Sequence, residues 1–483
     1  MKKLIAVVLL LSLLSVAAFC MIGASVSEEK ANVTIRETVV YGDKSYADGI
    51  TVLTRAHYDD HLFWNTSYTI GDVPKISTDY EFHYSPYYEN GERRYRGLML
   101  DADLRYGVNT TIPADESVGL QKAYRELFDA TPPGETGTKT IRLQDYYDYY
   151  PVRVNIDLPG VIWNGNDYDH LISYDYADER AVWEAFNAFF KIPIPEDLPA
   201  FDISVTRHIQ GHVIGTGSGG HGSQYQFYPR CAYTNNRVFF SIGNTYDHKG
   251  EETRYIDTSL IPGGYGIYSF TYQNVRNDTN TRGNTTTFYP GYETGVAADT
   301  LAMVFPLDRH AEVIYMTLSN DQSKLYLFTK EYDVTHLTII DVASMTQLQK
   351  IKITEARSFT FYEYDNCIAL HGWDYISVIE KQKDGLCRLA FTVPRNKEIN
   401  DSNYQKGVAT AMAFDGQTLV LVDQTGDTEY PSLETCGFTV AIYNETGLVY
   451  YAVYENSLST VTNPNDYAFN CLPVRYTVNL PSS

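Results

Sequence analysis

Between residues 312 and 354 the chain alternates apolar runs with short polar breaks: EVIYMTLS, NDQS, KLYLFTKE, YDVT, HLTIIDVAS, MT, QLQKIKIT. The runs are rich in β-branched and aromatic residues, which suit a pleated, half-buried surface. Four such runs joined by turn-length breaks predict a four-stranded antiparallel meander. The pattern recurs over residues 358–393 (SFTFYEY, CIALHG, YISVIEK, LCRLAFTV) and 408–455 (VATAMAF, TLVLVDQT, GFTVAIYNE, GLVYYAVY). Asp415-Gly416 in the last unit is a hairpin-turn signal. Upstream, residues 224–308 hold a looser set of four runs, stretched by a polar loop over 274–284. A four-stranded unit repeating about every 40–50 residues is the pattern of a β-propeller.

The remaining segments are fitted around these units. NVTIRETVVY (32–41) reads as a lone strand, of the kind that can complete a last blade and close a ring. Residues 50–107 contain four strand-like runs, ITVLTRAHY, LFWNTSYTI, TDYEFHYS and RGLMLDADLRYG, sized for a blade or for a small sandwich. Helical spacing of Leu120, Ala123, Tyr124, Leu127 and Phe128 predicts a helix over 117–130, stopped by Pro132-Pro133-Gly134. A second helix is predicted over about 178–190. Residues 201–214 return to strand alternation, and the glycine-rich run 215–222 is expected to be a flexible loop. Residues 466–480 supply one or two final strands, expected to pair with the N-terminal one. The expectation is therefore an all-β chain: one propeller domain over 31–483 with about seven four-stranded blades and two inserted helices. Its clearest blades are 224–308, 312–354, 358–393 and 408–455. Six blades, or a sandwich over 32–107 with a smaller propeller, are the alternatives.

The N-terminus changes the picture of location. Lys2 and Lys3 precede an uncharged, mostly apolar run over 4–25, long enough to span a bilayer. Residues 1–30 thus read as a signal-anchor, or as a cleaved signal peptide using the small residues Gly23-Ala24-Ser25. Either reading puts the rest of the chain outside the cytoplasm, single-pass and membrane-held or secreted. The formal charge of −22 argues against nucleic acid as a partner, because phosphates require a basic footprint. There are 6 cysteines and no CxxC. Cys367 and Cys387 fall in one predicted blade, where they either pair or remain buried thiols.

Residues 312–354 resemble blades of YVTN- and WD-type propellers. The resemblance lies in Ser319-Asn320-Asp321 before Lys324-Leu325-Tyr326-Leu327, and in Ile339-Ile340-Asp341 followed by Met345. Over its length the chain resembles an uncharacterised group of anchored or secreted bacterial proteins, through HLFWNTSYT, AYRELFDATPPG and DTSLIPGGYGIYSF. The resemblance implies fold and location, and no activity.

Candidate chemistry is sparse. On an extended strand His57, Asp59 and His61 would share a face and offer two imidazoles and a carboxylate to a metal, although Asp59-Asp60 also reads as a hairpin turn. His208, His212 and His221 surround the glycine-rich run without a zinc spacing. Asn164, Asn166, Asp167 and Asp169 offer oxygens for calcium but lack the twelve-residue loop ending in Glu. No G-x-S-x-G, H-E-x-x-H or phosphate-loop motif occurs, so no catalytic residue and no cofactor are expected. The tyrosines at 87–88 and 146–150 suit either an aromatic binding surface or core and rim packing. The functional expectation is an extracytoplasmic binding module for a protein or polysaccharide at the cell surface. The alternative is an extracellular hydrolase or lyase acting on carbohydrate or peptide.

Overall fold

A computed structural model describes residues 33–58, 62–83, 97–102, 119–157, 177–196, 200–219, 230–248, 252–272, 280–282, 285–287, 296–354, 359–364, 366–372, 375–394, 411–424, 437–456 and 475–481, with Ser15 and Met21. The predicted membrane segment 4–25 otherwise lies outside these residues. No helix among the described residues is long and apolar enough to cross a membrane. The chain is all-β with few helices and divides into two compact units, residues 1–92 with 353–483 and residues 93–352.

In the first unit the meander expected at 358–393 forms from Phe359–Glu363, Cys367–Gly372, Tyr375–Lys381 and Cys387–Pro394 in sequential order. The unit expected at 408–455 forms from Ala411–Phe414, Leu419–Gln424, Phe438–Asn444 and Gly447–Asn456. Period-two alternation in this second sheet is apolar on both sides, and both faces are buried. Ala413, Val420, Val440 and Tyr450 pack with Val52, Tyr68 and Val478. Met412, Leu421, Ala441 and Tyr443 pack with Cys367, Ile376 and Val378 of the neighbouring meander. Sheets stacked on both faces give near-continuous apolar strands, where a one-sided sheet gives strict alternation.

Of the two terminal strands, the C-terminal one departs from expectation. Ile35–Gly42 adds antiparallel to Gly447–Asn456 as a fifth strand, as a closing strand does. The C-terminal strand Arg475–Asn479 pairs instead with Thr51–Tyr58, at the edge of a sheet continued by Leu62–Thr69 and Lys75–Phe82. It takes a place expected for the fourth run of residues 50–107. That run, Gly97–Ala102, belongs to the other unit and pairs with Val152–Asp157. The first strand is held by more than its ladder. Tyr450 donates to Glu37 Oε1 at 2.7 Å, Tyr450 and Tyr454 share a 2.9 Å hydroxyl bond, and Lys44 meets Glu37 Oε2 at 2.5 Å. A largely buried carboxylate is tolerable here because these donors replace its water.

Cys367 and Cys387 are not joined. Cys367 lies opposite Glu380 and Cys387 opposite Lys381, so Tyr375–Lys381 separates their strands. Burial pushes the Cys367 thiol up to about 12, which leaves it unreactive at neutral pH.

The second unit contains the two helices expected as insertions. Helix α1 (Gly119–Ala130) buries Leu120, Ala123, Tyr124 and Leu127 of the predicted stripe and packs Phe128, half-buried, against the core. The Leu120 N–H donates to the Tyr147 hydroxyl at 2.9 Å. At its other end Arg207 donates to the carbonyls of Phe128 and Thr131 at 3.2 and 2.6 Å, placing a cation where the helix dipole is negative. Over residues 215–219 the glycine-rich run is not a free loop, and 220–222 lie outside the described residues. Val213–Gly219 is a strand paired with Phe201–Arg207, and the Tyr124 hydroxyl donates to the Gly217 carbonyl at 2.9 Å. A Cβ at Gly217 would stand 2.7 Å from Ser204 Oγ, so glycine here permits close approach. Helix α2 (Ala177–Phe189) lays Val182 and Phe186 on the core, and Phe186 stacks on Phe240 at 6.0 Å.

Two meanders complete this unit. Arg230–Tyr233, Arg237–Ser241, Gly266–Tyr272 and Val296–Pro306 form the looser one. The hairpin Thr245–His248 with Glu252–Tyr255 is inserted between its second and third strands. Ala311–Leu318, Lys324–Glu331, Val334–Asp341 and Gln347–Thr354 form the regular one, within three residues of expectation. The two pack face to face through Phe239 and Ile267 against Val313, Leu325, Leu327 and Ile340. Among the described residues the chain thus holds four four-stranded sheets and one five-stranded sheet, all antiparallel in their described pairings.

Candidate ligand-recognition surface

In a meander, the entry, the second-to-third turn and the exit all emerge at the same edge. Two adjacent meanders therefore bring three segments of the second unit together. These are the insertion after Ser241, the connection 307–310, and the turn Tyr332-Asp333.

The base of this edge is fixed by buried hydrogen bonds. Asn244 donates from Nδ2 to the Arg309 carbonyl at 2.7 Å, and the Ile256 N–H donates to the Asn244 carbonyl at 2.7 Å. The buried Tyr265 hydroxyl donates to the Ala311 carbonyl at 2.9 Å, and burial drives its pKa upward. Asp308 accepts the His310 N–H at 2.8 Å and closes the connecting turn. The bonds of Asn244 and Tyr265 satisfy groups held away from water, while the exposed Asp308 bond sets the turn.

On this base stands a chain of rings. Tyr332 stacks on His310, with centroids 5.4 Å apart and planes at 22°. Tyr255 meets the same imidazole edge-on at 5.0 Å and 88°. His310 Nδ1 and the Tyr255 hydroxyl share a 2.9 Å hydrogen bond. Arg309 donates from Nε to His310 Nε2 at 3.3 Å, which makes Nε2 the acceptor and puts the imidazole proton on Nδ1, donating to Tyr255. The Arg309 guanidinium also lies over the Tyr255 ring at 5.9 Å. Tyr332 nevertheless remains 76% exposed and Tyr255 48%. One face of the Tyr332 ring rests on His310 while the other meets solvent.

The backbone at Tyr332 is strained. Glu331 pairs with Val334 across a two-residue turn, and Tyr332 has φ +59° while Asp333 does not share the positive φ. A positive φ at only the first central residue is the type II′ arrangement, which favours glycine. Gln322 and Met345 also have positive φ, but each closes a longer turn through a backbone bond, to Ser319 at 2.7 Å and to Asp341 at 2.8 Å. Tyr332 holds a large ring in water at a backbone cost of about 1–2 kcal/mol. Replacing it by glycine is expected to raise stability by about 0.5–1 kcal/mol, net of the added freedom of the unfolded chain. The urea midpoint of Tyr332→Gly against the parent measures this; a fall would show that the ring is packing rather than display.

The residues singled out by sequence are mostly elsewhere. Asp59 and His61 lie outside the described residues; the His57 backbone is in a strand opposite Phe63. No group of three or more His, Cys, Asp or Glu side chains suited to a metal occurs among the described residues. His208 and His212 stack at 4.6 Å across a tight turn in which the Gln210 N–H donates to His208 Nδ1 at 3.2 Å; His221 lies outside the described residues. Residues 164, 166, 167 and 169 also lie outside them, as do Tyr87 and Tyr88. The tyrosines of 146–150 are mainly structural: Tyr150 is fully buried, and Tyr146 and Tyr147 pack against the core. Tyr146 also joins Lys139 and Glu126, its hydroxyl 2.7 Å from Nζ and 3.0 Å from Oε2. The hydrogen bond from Lys139 holds Glu126 below its usual range.

No protein-family model matches the chain, and no curated protein matches it. Solved structures give distant likenesses. A chain of the Mitotic Checkpoint Complex is 11% identical with a TM-score of 0.23, over 45% of this chain and 60% of its own length. The β-propeller domain of Cps50 (Swd1) from Myceliophteria thermophila is 9% identical with a TM-score of 0.23, over 52% and 82%. AztD from Citrobacter koseri is 10% identical with a TM-score of 0.25, over 89% and 97%. At these TM-scores none of the likenesses carries an argument about fold or function.

Proposed function

We propose that this protein is an extracytoplasmic binding module on a β-propeller scaffold of about seven blades, recognising its ligand at the edge formed by Tyr255, Arg309, His310 and Tyr332. The observation that carries this reading is the strained display of Tyr332. A turn that glycine would fill more stably instead holds an aromatic ring in solvent, backed by a stacked imidazole. Strain of this kind persists where function requires it. The scaffold is supported by the run of four-stranded antiparallel meanders and by their face-to-face packing within each unit. The location is supported by the apolar run at 4–25 behind two lysines.

The test is a photo-crosslinking amino acid placed at position 332, with a control at Val73, which is exposed in a turn of the other unit. Illumination of intact producing cells should yield a discrete adduct from position 332 and none from 73. No adduct, or the same adducts from both positions, would remove the assignment of this edge as the binding surface.

A further inference from the structure

We propose that the open face of Tyr332 takes a pyranose ring of a neutral polysaccharide, with the hydrogen-bonding groups around it reading the sugar hydroxyls. This rests on the reading of that edge as a binding surface and names its ligand class. A sugar ring offers a flat array of C–H groups on one face and hydroxyls at its rim. Its complement is a single immobilised aromatic face surrounded by donors and acceptors.

The structure has both parts. The Tyr332 ring is backed by His310 at 5.4 Å and is fixed from below by a turn paired on both sides. Around it stand the guanidinium of Arg309, which makes no ion pair among the described residues, the Tyr255 hydroxyl, and the carboxylate of Asp308.

Other planar or apolar ligands fit less well. Nucleobases would bring phosphates toward Asp308 on a chain of net charge −22. A quaternary ammonium needs an empty aromatic cage, and here Arg309 already lies over Tyr255. A proline-rich peptide needs a groove between roughly parallel rings. Tyr255 instead stands at 88° to the imidazole, so the cluster presents one open face.

The experiment is affinity electrophoresis of the full chain in gels containing a β-glucan, a mannan, a xylan or polygalacturonate, with titration by a proline-rich peptide. The variants are Tyr332→Phe, Tyr332→Gly and Arg309→Ala. At least one neutral polysaccharide should retard the parent. Tyr332→Phe should keep the retardation, and Tyr332→Gly should weaken it roughly tenfold or more, on the scale of a lost stacking contact. Tyr332→Gly must melt no lower than the parent, so that lost binding is not lost folding. Arg309→Ala should weaken binding less. Retardation by polygalacturonate alone, binding of the peptide alone, or neutral binding that survives Tyr332→Gly would overturn the proposal. If no polysaccharide binds while the crosslinker at 332 still forms a specific adduct, the ligand class is wrong and the surface stands. If both fail, both fall.

Discussion

Ending the chain at residue 474 is expected to destabilise the unit built from residues 1–92 and 353–483 by on the order of 5 kcal/mol. The lost strand Arg475–Asn479 pairs along Thr51–Arg55 and buries Val478 in the cluster with Val52, Ala413 and Val420. Its Tyr476 packs on Phe438 at 5.9 Å and donates to the Gly437 carbonyl at 3.0 Å. Burying a valine is worth about 1.5–3 kcal/mol, and each ladder or side-chain hydrogen bond about 1 kcal/mol. A single change tests the same point with the chain length kept. Val478→Asp buries an unpaired carboxylate and should cost about 3–5 kcal/mol. Urea unfolding followed by circular dichroism measures both. Midpoints equal to the parent's would mean that the terminal strand is dispensable.

Tyr454→Ala should be nearly as damaging, at about 3–5 kcal/mol. The ring is fully buried, stacks on Phe438 at 4.8 Å and 12°, and meets Tyr68 edge-on at 5.3 Å. Tyr454→Phe keeps these contacts and removes the 2.9 Å bond to Tyr450 and the long 3.5 Å one to Glu37 Oε1, at a cost of about 1 kcal/mol. A ratio near one between the two variants would show that the hydroxyl network, not the ring, holds the site. The cluster also sets a limit at high pH. Burial pushes the Tyr68 phenol up from 10.0 to about 12 and moves Tyr450 and Tyr454 the same way. Because the folded values are raised, the stabilisation is complete below pH 10.0 and is lost as the pH rises through about 12. Tyr454→Phe, with one such phenol fewer, should lose stability less steeply over that window.

What could be read from the sequence follows the range of the interactions. The regular meander was legible strand by strand because its turns are short and each strand pairs with its sequence neighbour. Helix α1 was legible from the spacing of Leu120, Ala123, Tyr124 and Leu127. The partners of Gly97–Ala102 and Arg475–Asn479 were not, since nothing local to a strand states which distant edge it will join. The glycine run misled for another reason. Glycines that usually mark a loop here let Val213–Gly219 approach Ser204 and Tyr124 closely. Tyr332 passed as part of the polar turn YDVT. A signal was present, since a two-residue hairpin turn beginning with tyrosine lacks the Gly or Asn that such turns favour. Its stacking on His310 joins the turn to a connection more than twenty residues earlier, which only the packing of two sheets reveals.

The exchange of terminal strands ties folding to the order of synthesis. Thr51–Tyr58 is made more than 400 residues before its partner Arg475–Asn479. Until then its outer N–H and C=O groups form an open edge, which other chains can pair with. Closing a loop of this length is entropically slow, so the last step competes with encounters between molecules. The final strand of one molecule fits the waiting edge of another as well as its own. Dilution during renaturation therefore favours the closed monomer, and crowding favours strand-swapped pairs.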